Sequence, residues 1–263
     1  ENRQVKETRF YQNHKLNGLT KGFNYDGSLS YRMNFIDSIQ HGLYEKYYSS
    51  GNLKEKGEIN DQRFYGHYNS YYENGQVEKD YSYAGFNIDG PYKVYFENGN
   101  LMIECNYVLG QIEGTWTQYH QDGSIYETGN YTNGLRLGKW VSLFPDSTNY
   151  MIGYYNNGVT EGLWEVYYPN GQLKQKGSFN LGIPNGNWHY YHENGSIKMK
   201  GSYVNGLSVD HWVHYYDNGK VKLDLYYNNG MLDGILTGYD TLGNMLEQAE
   251  YRDNQLIRQI KNQ

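Results

Sequence analysis

Hydrophobic and polar positions recur along this chain with a period of 24 residues. Counted from the first glycine of each period as position 0, aromatic residues dominate positions +2, +5 and +17, and aliphatic residues dominate position +11. Asp210 replaces the first glycine in one period; elsewhere these glycines are Gly18, Gly42, Gly66, Gly90, Gly114, Gly138, Gly162, Gly186 and Gly234. A fixed period of this length indicates a tandem repeat protein, whose units pack mainly on their neighbours.

Each period has the pattern of a β-hairpin. Two runs rich in Tyr, Trp and branched aliphatic residues flank a turn such as Asn194-Gly195, which is typical of hairpins. In one period, position +7 is Pro169. A two-residue turn would need an N–H there, which proline lacks. We therefore predict a three-residue turn in which glycine takes the left-handed conformation.

This turn decides which side chains share a face. It places +5 opposite +11, and regular alternation then puts +15 and +17 on the same side. We predict one apolar stripe from +5, +11 and +17, with small residues at +15 making room for rings. Alternation sends Trp at +2 to the other face, where it forms a second stripe unless a bulge in the first strand turns it inward.

The predicted fold is all-β: an elongated, twisted, single antiparallel sheet of about ten tandem 24-residue hairpin repeats. Residues 18–257 form the repeat domain, preceded by an N-terminal half-hairpin cap at 1–17 and followed by a C-terminal tail at 258–263. We expect an irregular hairpin at 138–161, because that unit departs most from the pattern, with Leu143, Ser147 and Asn149.

Composition and charge narrow the classes of function. Tyr and Gly each number 32, whereas hydrophobic residues make up only 38%, so much of the apolar surface is tyrosine ring. The net charge of −6 disfavours nucleic acid, which requires a basic surface. One cysteine excludes an internal disulfide, and no apolar run approaches the ~20 residues that span a bilayer.

The residues that bear chemistry do not form a recognisable catalytic, cofactor-binding or metal site. Cys105 occupies +15, where we expect a packing role. His189 with His192, and His211 with His214, are spaced i, i+3, which on a strand puts the two rings on opposite faces. Neither pair closes on one metal ion by itself, although a site shared between neighbouring hairpins stays open.

Two other sets recur by repeat position. Carboxylates at +7 indicate turn chemistry rather than an acid–base pair; they are Glu73, Glu97 and Glu193. Tryptophans at +2 are the candidate partner-binding residues if they face solvent, as a ladder for proteins or sugars, and core residues if neighbouring repeats bury them. They are Trp116, Trp140, Trp164, Trp188 and Trp212.

The motif resembles the MORN repeat, and more closely the longer variant of the bacterial YwqK family. Within one repeat the resemblance rests on Gly186, Trp188, Tyr191, Asn194, Gly195, Ile197, Gly201, Tyr203 and Gly206. It covers residues 18–256 and implies a hairpin scaffold that serves as an interaction module, in some members with proposed lipid contacts. The YwqK label also implies an antitoxin role.

We therefore expect a non-enzymatic scaffold with one or more protein partners, a subunit of a bacterial cell-envelope complex. The alternatives are an antitoxin or immunity protein, and a binder of carbohydrate or lipid surfaces. The chain begins at Glu1, which is compatible with a leader, or a leader with a lipid anchor, removed before it. Three triplets match an envelope O-glycosylation motif: Asp37-Ser38-Ile39, Asp146-Ser147-Thr148 and Asp240-Thr241-Leu242. A cytoplasmic location is the alternative.

Overall fold

The computed structural model describes residues 4–262, with side chains to residue 261. The first three residues of the predicted cap and the last of the predicted tail lie outside the described residues. The strands of the first half are β1 Glu7–Thr8, β2 Tyr11–Gln12, β3 Lys15–Leu16, β4 Gly18–Phe23, β5 Leu29–Ile36, β6 Ile39–Tyr47, β7 Leu53–Asn60, β8 Arg63–Tyr71, β9 Val77–Ala84, β10 Asn87–Ile88, β11 Gly90–Tyr95, β12 Leu101–Val108, β13 Gln111–Ile112 and β14 Gly114–Tyr119.

The remaining strands continue the same series. They are β15 Ile125–Thr132, β16 Leu135–Leu143, β17 Asn149–Asn156, β18 Val159–Thr160, β19 Gly162–Tyr167, β20 Leu173–Asn180, β21 Ile183–Tyr191, β22 Ile197–Val204, β23 Leu207–Tyr215, β24 Val221–Asn228, β25 Met231–Leu232, β26 Gly234–Tyr239, β27 Met245–Arg252 and β28 Gln255–Asn262. Of the 28 strands of the described residues, 26 belong to antiparallel sheet, and β2 pairs with β3. This confirms the all-β hairpin-repeat fold.

The chain forms two compact units. Unit one comprises the residues up to Tyr126 together with Tyr131–Leu135, and unit two comprises Glu127–Asn130 and the residues from Arg136 onward. At the start of unit one, β1 pairs with β4; at the end of unit two, β28 pairs with β27. The bounds that we assign to the cap, the repeat domain and the tail stay predictions.

The hairpin turns have the predicted three-residue form. His192 N–H donates to Ser196 C=O at 2.8 Å, and Gly195 N–H donates to His192 C=O at 2.9 Å, with Gly195 at φ +84°. The turn of the unit at 138–161 is the same, because Ser147 adopts φ +66° in place of glycine. The register of that hairpin is also regular, so the expectation of an irregular hairpin there is wrong.

The second strand of each hairpin contains an extra residue that the sequence did not reveal. Tyr191 pairs with Ile197, as predicted for +5 and +11, but the next pair joins Tyr190 to Met199. Lys198 at +12 is therefore a bulge residue. The bulge shifts the alternation, so +15 and +17 lie on the face of Trp at +2. The predicted stripe of +5, +11 and +17 is therefore wrong at +17, which lies on the face opposite +5 and +11.

Rings at +2 and +17 form the core on that face. In unit two, each ring meets the next mostly edge to face, with centroids 5.0–6.2 Å apart, which favours aromatic pairs by about 0.5–1.5 kcal/mol each. The glycine at +15 lets a ring lie on bare backbone. The continuous series is Trp140, Tyr155, Trp164, Phe179, Trp188, Tyr203, Trp212 and Tyr227.

Neighbouring hairpins meet through a wide bulge. Between the pair Lys176–His189 and the pair Ser178–Asn185, β20 contributes only Gly177, whereas β21 contributes three residues. The chain then returns through a two-residue turn in which both φ angles are positive, as in type I′ turns. The wide bulge lifts part of the first strand away from its neighbour and opens a cleft at the junction.

Side chains also join consecutive hairpin turns. Asn170 Nδ2 donates to Glu193 C=O at 2.9 Å, and Asn194 Nδ2 donates to Asp217 C=O at 3.1 Å. Tyr168 Oη donates to Tyr191 C=O at 2.9 Å. The same asparagine bond recurs in unit one, from Asn74 and Asn98. We call this series the asparagine ladder; it comprises Asn74, Asn98, Asn170, Asn194 and Asn218.

Candidate functional site

The five predicted partner-binding tryptophans lie on the core face. Trp140, Trp188 and Trp212 are buried, at 0%, 4% and 3% exposure, and Trp116 and Trp164 are half-buried. For the buried rings, the structure therefore shows the alternative in which neighbouring repeats cover them. Binding of a partner through these residues stays a prediction.

Cys105 and the recurring carboxylates occupy the places that their repeat positions predict. Cys105 lies half-buried at +15, and burial, with a smaller effect of the Glu104 charge, raises the pKa of its thiol to about 11. Glu73, Glu97 and Glu193 lie exposed in hairpin turns, where their backbone carbonyls accept hydrogen bonds from the asparagine of the preceding turn. The role predicted for the carboxylate groups themselves stays a prediction.

The structure regroups the four histidines across hairpins. His189 and His211 line one cleft on the face opposite the rings. His192 lies in a turn with Nε2 3.1 Å from Tyr215 C=O. His214 is half-buried among other neighbours, and its pKa is lowered by burial and by the charges of Lys222 and Lys198. Within residues 4–262, no group of three or more His, Cys, Asp and Glu side chains is placed to hold a metal ion.

Clefts of similar construction open at the wide bulges. Two of them are equivalent by repeat position. The cleft in unit one, about 310 Å³, is lined by Lys56, Glu58 and His67; we call it the Glu58 cleft. The one in unit two, about 230 Å³, is lined by Lys200 and His211, with Ser202 where the other has Glu58, and also by His189, Gly201 and Val213. We call it the basic cleft.

The clefts differ in charge. A third one, about 410 Å³ and in unit one, includes Glu104 and Glu113 beside Lys93. The Glu58 cleft includes a carboxylate, Glu58, as well as its lysine. The basic cleft has only cationic, titratable or neutral groups among its described lining residues. Sequence reasoning missed this site because its residues come from three strands and share no local motif.

A second surface feature runs along the turns that connect the hairpins of unit two. Four apolar side chains at position +21 are exposed by 37–48%; we call them the apolar row: Val159, Ile183, Leu207 and Met231. Each of the first three lies close to the glycine of the next connecting turn. A Cβ on Gly206, for example, would come within 2.9 Å of Ile183 Cγ2. The side chains therefore form a continuous ridge.

The same positions in unit one differ. At position +21 of unit one, three successive repeats carry polar residues. The full set is Ile39, Arg63, Asn87, Gln111 and Leu135. Scattered exposed apolar residues are normal on proteins, whereas a contiguous exposed set marks interaction sites. The ridge is therefore a feature of unit two that the repeat does not require.

The comparison with protein families decides the identity of the repeat. The model described as MORN repeat variant matches seven segments that together exceed half of the chain: 40–61, 64–84, 88–108, 112–133, 160–181, 184–205 and 211–229. The chain belongs to the MORN repeat variant family. MORN repeats are generally associated with binding and are generally non-catalytic.

The other comparisons add little to the MORN assignment. A comparison with curated proteins finds no match. Among solved structures, the chain is similar to the crystal structure of TcdB2-TccC3-TEV, with 12% identity, TM-score 0.18, and coverage of 94% of this chain and 14% of that one. TcdB2-TccC3 gives 12% identity, TM-score 0.19 and 95% and 18% coverage. The chain thus spans less than a fifth of those chains, and the likeness carries no inference.

In the described part of the chain, no helix is long and apolar enough to cross a membrane. The two features that the hairpin itself does not require are the basic cleft and the apolar row.

Proposed function

We propose that this MORN repeat protein is a non-enzymatic scaffold that binds a protein partner along the apolar row of unit two. The observation that carries the proposal is the continuity of Val159, Ile183, Leu207 and Met231, each 37–48% exposed. Fully burying an exposed aliphatic side chain contributes about 1.5–3 kcal/mol, and each of these four, already more than half covered, contributes less than that. Four aligned side chains therefore offer substantial binding energy for a partner with a complementary apolar surface.

The partner belongs, in this proposal, to a bacterial cell-envelope complex. The envelope location is supported by the three O-glycosylation-like triplets, whose Ser38, Ser147 and Thr241 are exposed in turns where a glycan has room. Fractionation of the native cells tests the location, and recovery of the protein only from the cytoplasm would contradict it.

A charged substitution in the apolar row tests the scaffold function. We expect Leu207→Glu to weaken partner binding by about tenfold or more, because a carboxylate would have to be desolvated in the interface. The measurement is cross-linking and quantitative recovery of partners from native cells with the wild-type protein and the variant. Partners are identified by mass spectrometry, and their affinity is then measured with purified components.

Gln111→Glu supplies the matched control, since Gln111 has the same repeat position in unit one and is exposed. It should leave binding unchanged, and circular dichroism should show that both variants are folded. Recovery of wild-type protein only as a monomer would contradict the scaffold, and equal binding by Leu207→Glu would contradict the row as its site.

A further inference from the structure

Lysine and histidine side chains lie side by side at the basic cleft. Lys176, His189 and Lys200 are direct cross-strand partners on β20, β21 and β22. Glu165 neutralises Lys176 at 2.9 Å, but among the described residues no carboxylate forms an ion pair with Lys200 or His189. Lys200 Nζ instead lies over the Tyr215 ring, 5.7 Å from its centroid, so no anion of the described residues compensates its charge.

The remaining groups of the cleft are oriented by neighbours. His211 Nε2 lies 2.7 Å from Asp224 Oδ1, and its ring stacks on Tyr226 at 4.8 Å. Ser202 Oγ donates to Asn187 Oδ1 at 2.8 Å. Positioned side chains thus border the space beside Lys200. Asp224, just outside the lining, is the nearby carboxylate, and it is already engaged by His211.

The Glu58 cleft is the equivalent cleft of unit one, and its lysine does have a carboxylate neighbour. Its Lys56 and His67 are the equivalents of Lys200 and His211, and His67 is likewise paired with an aspartate, Asp80, at 3.3 Å. The two clefts differ at several positions. Position +16 is Glu58 in unit one and Ser202 in unit two, and the residue directly across from the lysine is Glu45 in unit one and His189 in unit two. The lysine of the Glu58 cleft has an anionic neighbour in its own lining, whereas Lys200 has none.

We propose that the basic cleft binds an oxyanion, the phosphate or carboxylate group of a ligand. Lys200 supplies the permanent positive charge, and the imidazoles of His189 and His211 and the hydroxyl of Ser202 supply polar contacts. Hydrogen bonds to charged groups contribute more than neutral ones, and a bound anion supplies the counter-charge that Lys200 lacks.

The cleft opens on the same face as the apolar row. Lys200, Ser202 and Val204 alternate along β22, so their side chains share one face, and Val204 pairs with Leu207 of the row. The cleft and the row therefore lie on one face of unit two. Anion binding itself does not depend on the proposed scaffold function, and its test uses the purified protein alone.

The test is a titration with inorganic phosphate, and separately with acetate, at one fixed pH and constant ionic strength. Histidine Cε1–Hε1 resonances are followed by NMR and assigned with His→Asn variants. We expect saturable shifts of the His189 and His211 signals, and no saturable shift of His67, which reports on the Glu58 cleft. Shifts with phosphate alone identify the ligand group as phosphate, and shifts with acetate identify carboxylate.

Charge variants show whether the cleft is the site. Lys200→Gln should weaken binding by about tenfold, the value of a charge-assisted hydrogen bond. Lys222→Gln should leave it unchanged, because Lys222 lies 5.6 Å from the Tyr216 ring on the other face. Ser202→Glu installs the carboxylate that the Glu58 cleft carries and should abolish binding in a protein that still folds.

Three outcomes would overturn the proposal. They are no saturable shift with either anion, equal shifts of His67 and His211, and anion binding by Ser202→Glu that matches the wild type. Partner recovery with Leu207→Glu is a separate measurement. Failure of anion binding would therefore leave the scaffold proposal standing, and failure of partner recovery would leave the anion proposal standing.

Discussion

At the scale of single residues, side chains at +3 and +16 set the charge around a cleft lysine. Lys56 has Glu45 directly across from it and Glu58 in its own cleft lining, whereas Lys200 has His189 and Ser202 in those places. Glu58 and Ser202 are both tolerated because +16 faces solvent. Variation at such positions is where repeats of one structure acquire different ligands.

Cys105 offers a pH test at this scale. Burial raises the pKa of its thiol to about 11, so the reactive thiolate is a minor species at neutral pH. At pH 8 we expect alkylation by iodoacetamide to be on the order of a hundredfold slower than for an ordinary thiol with a pKa near 8.5. The rate in the folded protein should keep rising above pH 9.5.

The urea-unfolded chain is the control for Cys105. Its thiol regains ordinary exposure, and its rate should level off at about the pH expected for a model thiol. Equal rates for the folded and unfolded protein at pH 8 would contradict the buried environment.

At the scale of the hairpin, Pro169 was enough to predict the turn, but nothing in the sequence revealed the bulge at +12. A lysine such as Lys198 fits an exposed strand position whether or not it is bulged. The residue at +12 is bulged because +4 pairs with +13. That pairing is fixed only when the rings at +2 and +17 pack on one face. Local alternation therefore predicted the wrong stripe.

Packing between hairpins depends on bare backbone under the tryptophans. A Cβ on Gly201 would lie 2.0 Å from Trp212 Cδ2, and Trp212 is 3% exposed, so the ring has little room to move. We expect Gly201→Ala to lower the free energy of unfolding by about 3 kcal/mol, measured by urea and thermal denaturation.

Gly238→Ala is the matched control. Its Cβ would meet Glu247 Cγ at 3.0 Å, and a flexible exposed side chain can move away. We expect at most a small loss of stability there. Equal melting temperatures for the two variants would show that the glycine under the tryptophan is dispensable.

At the scale of the molecule, the repeat period predicted the fold class, because every hairpin obeys the same few positions. The tryptophans could not be assigned to core or surface, since both alternatives fit the period. The basic cleft was not predicted either. Its residues become neighbours only when β21, β22 and β23 are in register, and His189 and His211 are 22 residues apart in the chain.

The asparagine ladder makes the hairpin turns susceptible to deamidation. Each of its asparagines precedes a glycine, the pair that deamidates most readily because the glycine N–H is unhindered; asparagine is among the thermolabile residues. Asn194 Nδ2 donates to the next turn, and conversion to aspartate would replace that donor with an oxygen facing a carbonyl. Every such event removes one link between neighbouring hairpins.

We therefore expect incubation at alkaline pH and raised temperature to lower the melting temperature in step with the number of converted turns. Peptide mass spectrometry counts the conversions, and the turns of Asp122 and Asp146, which already carry aspartate, should not change. A melting temperature that stays constant after conversion would show that the links between turns add nothing to stability. For a molecule built of nearest-neighbour contacts, storage history then becomes a determinant of how firmly neighbouring hairpins are held together.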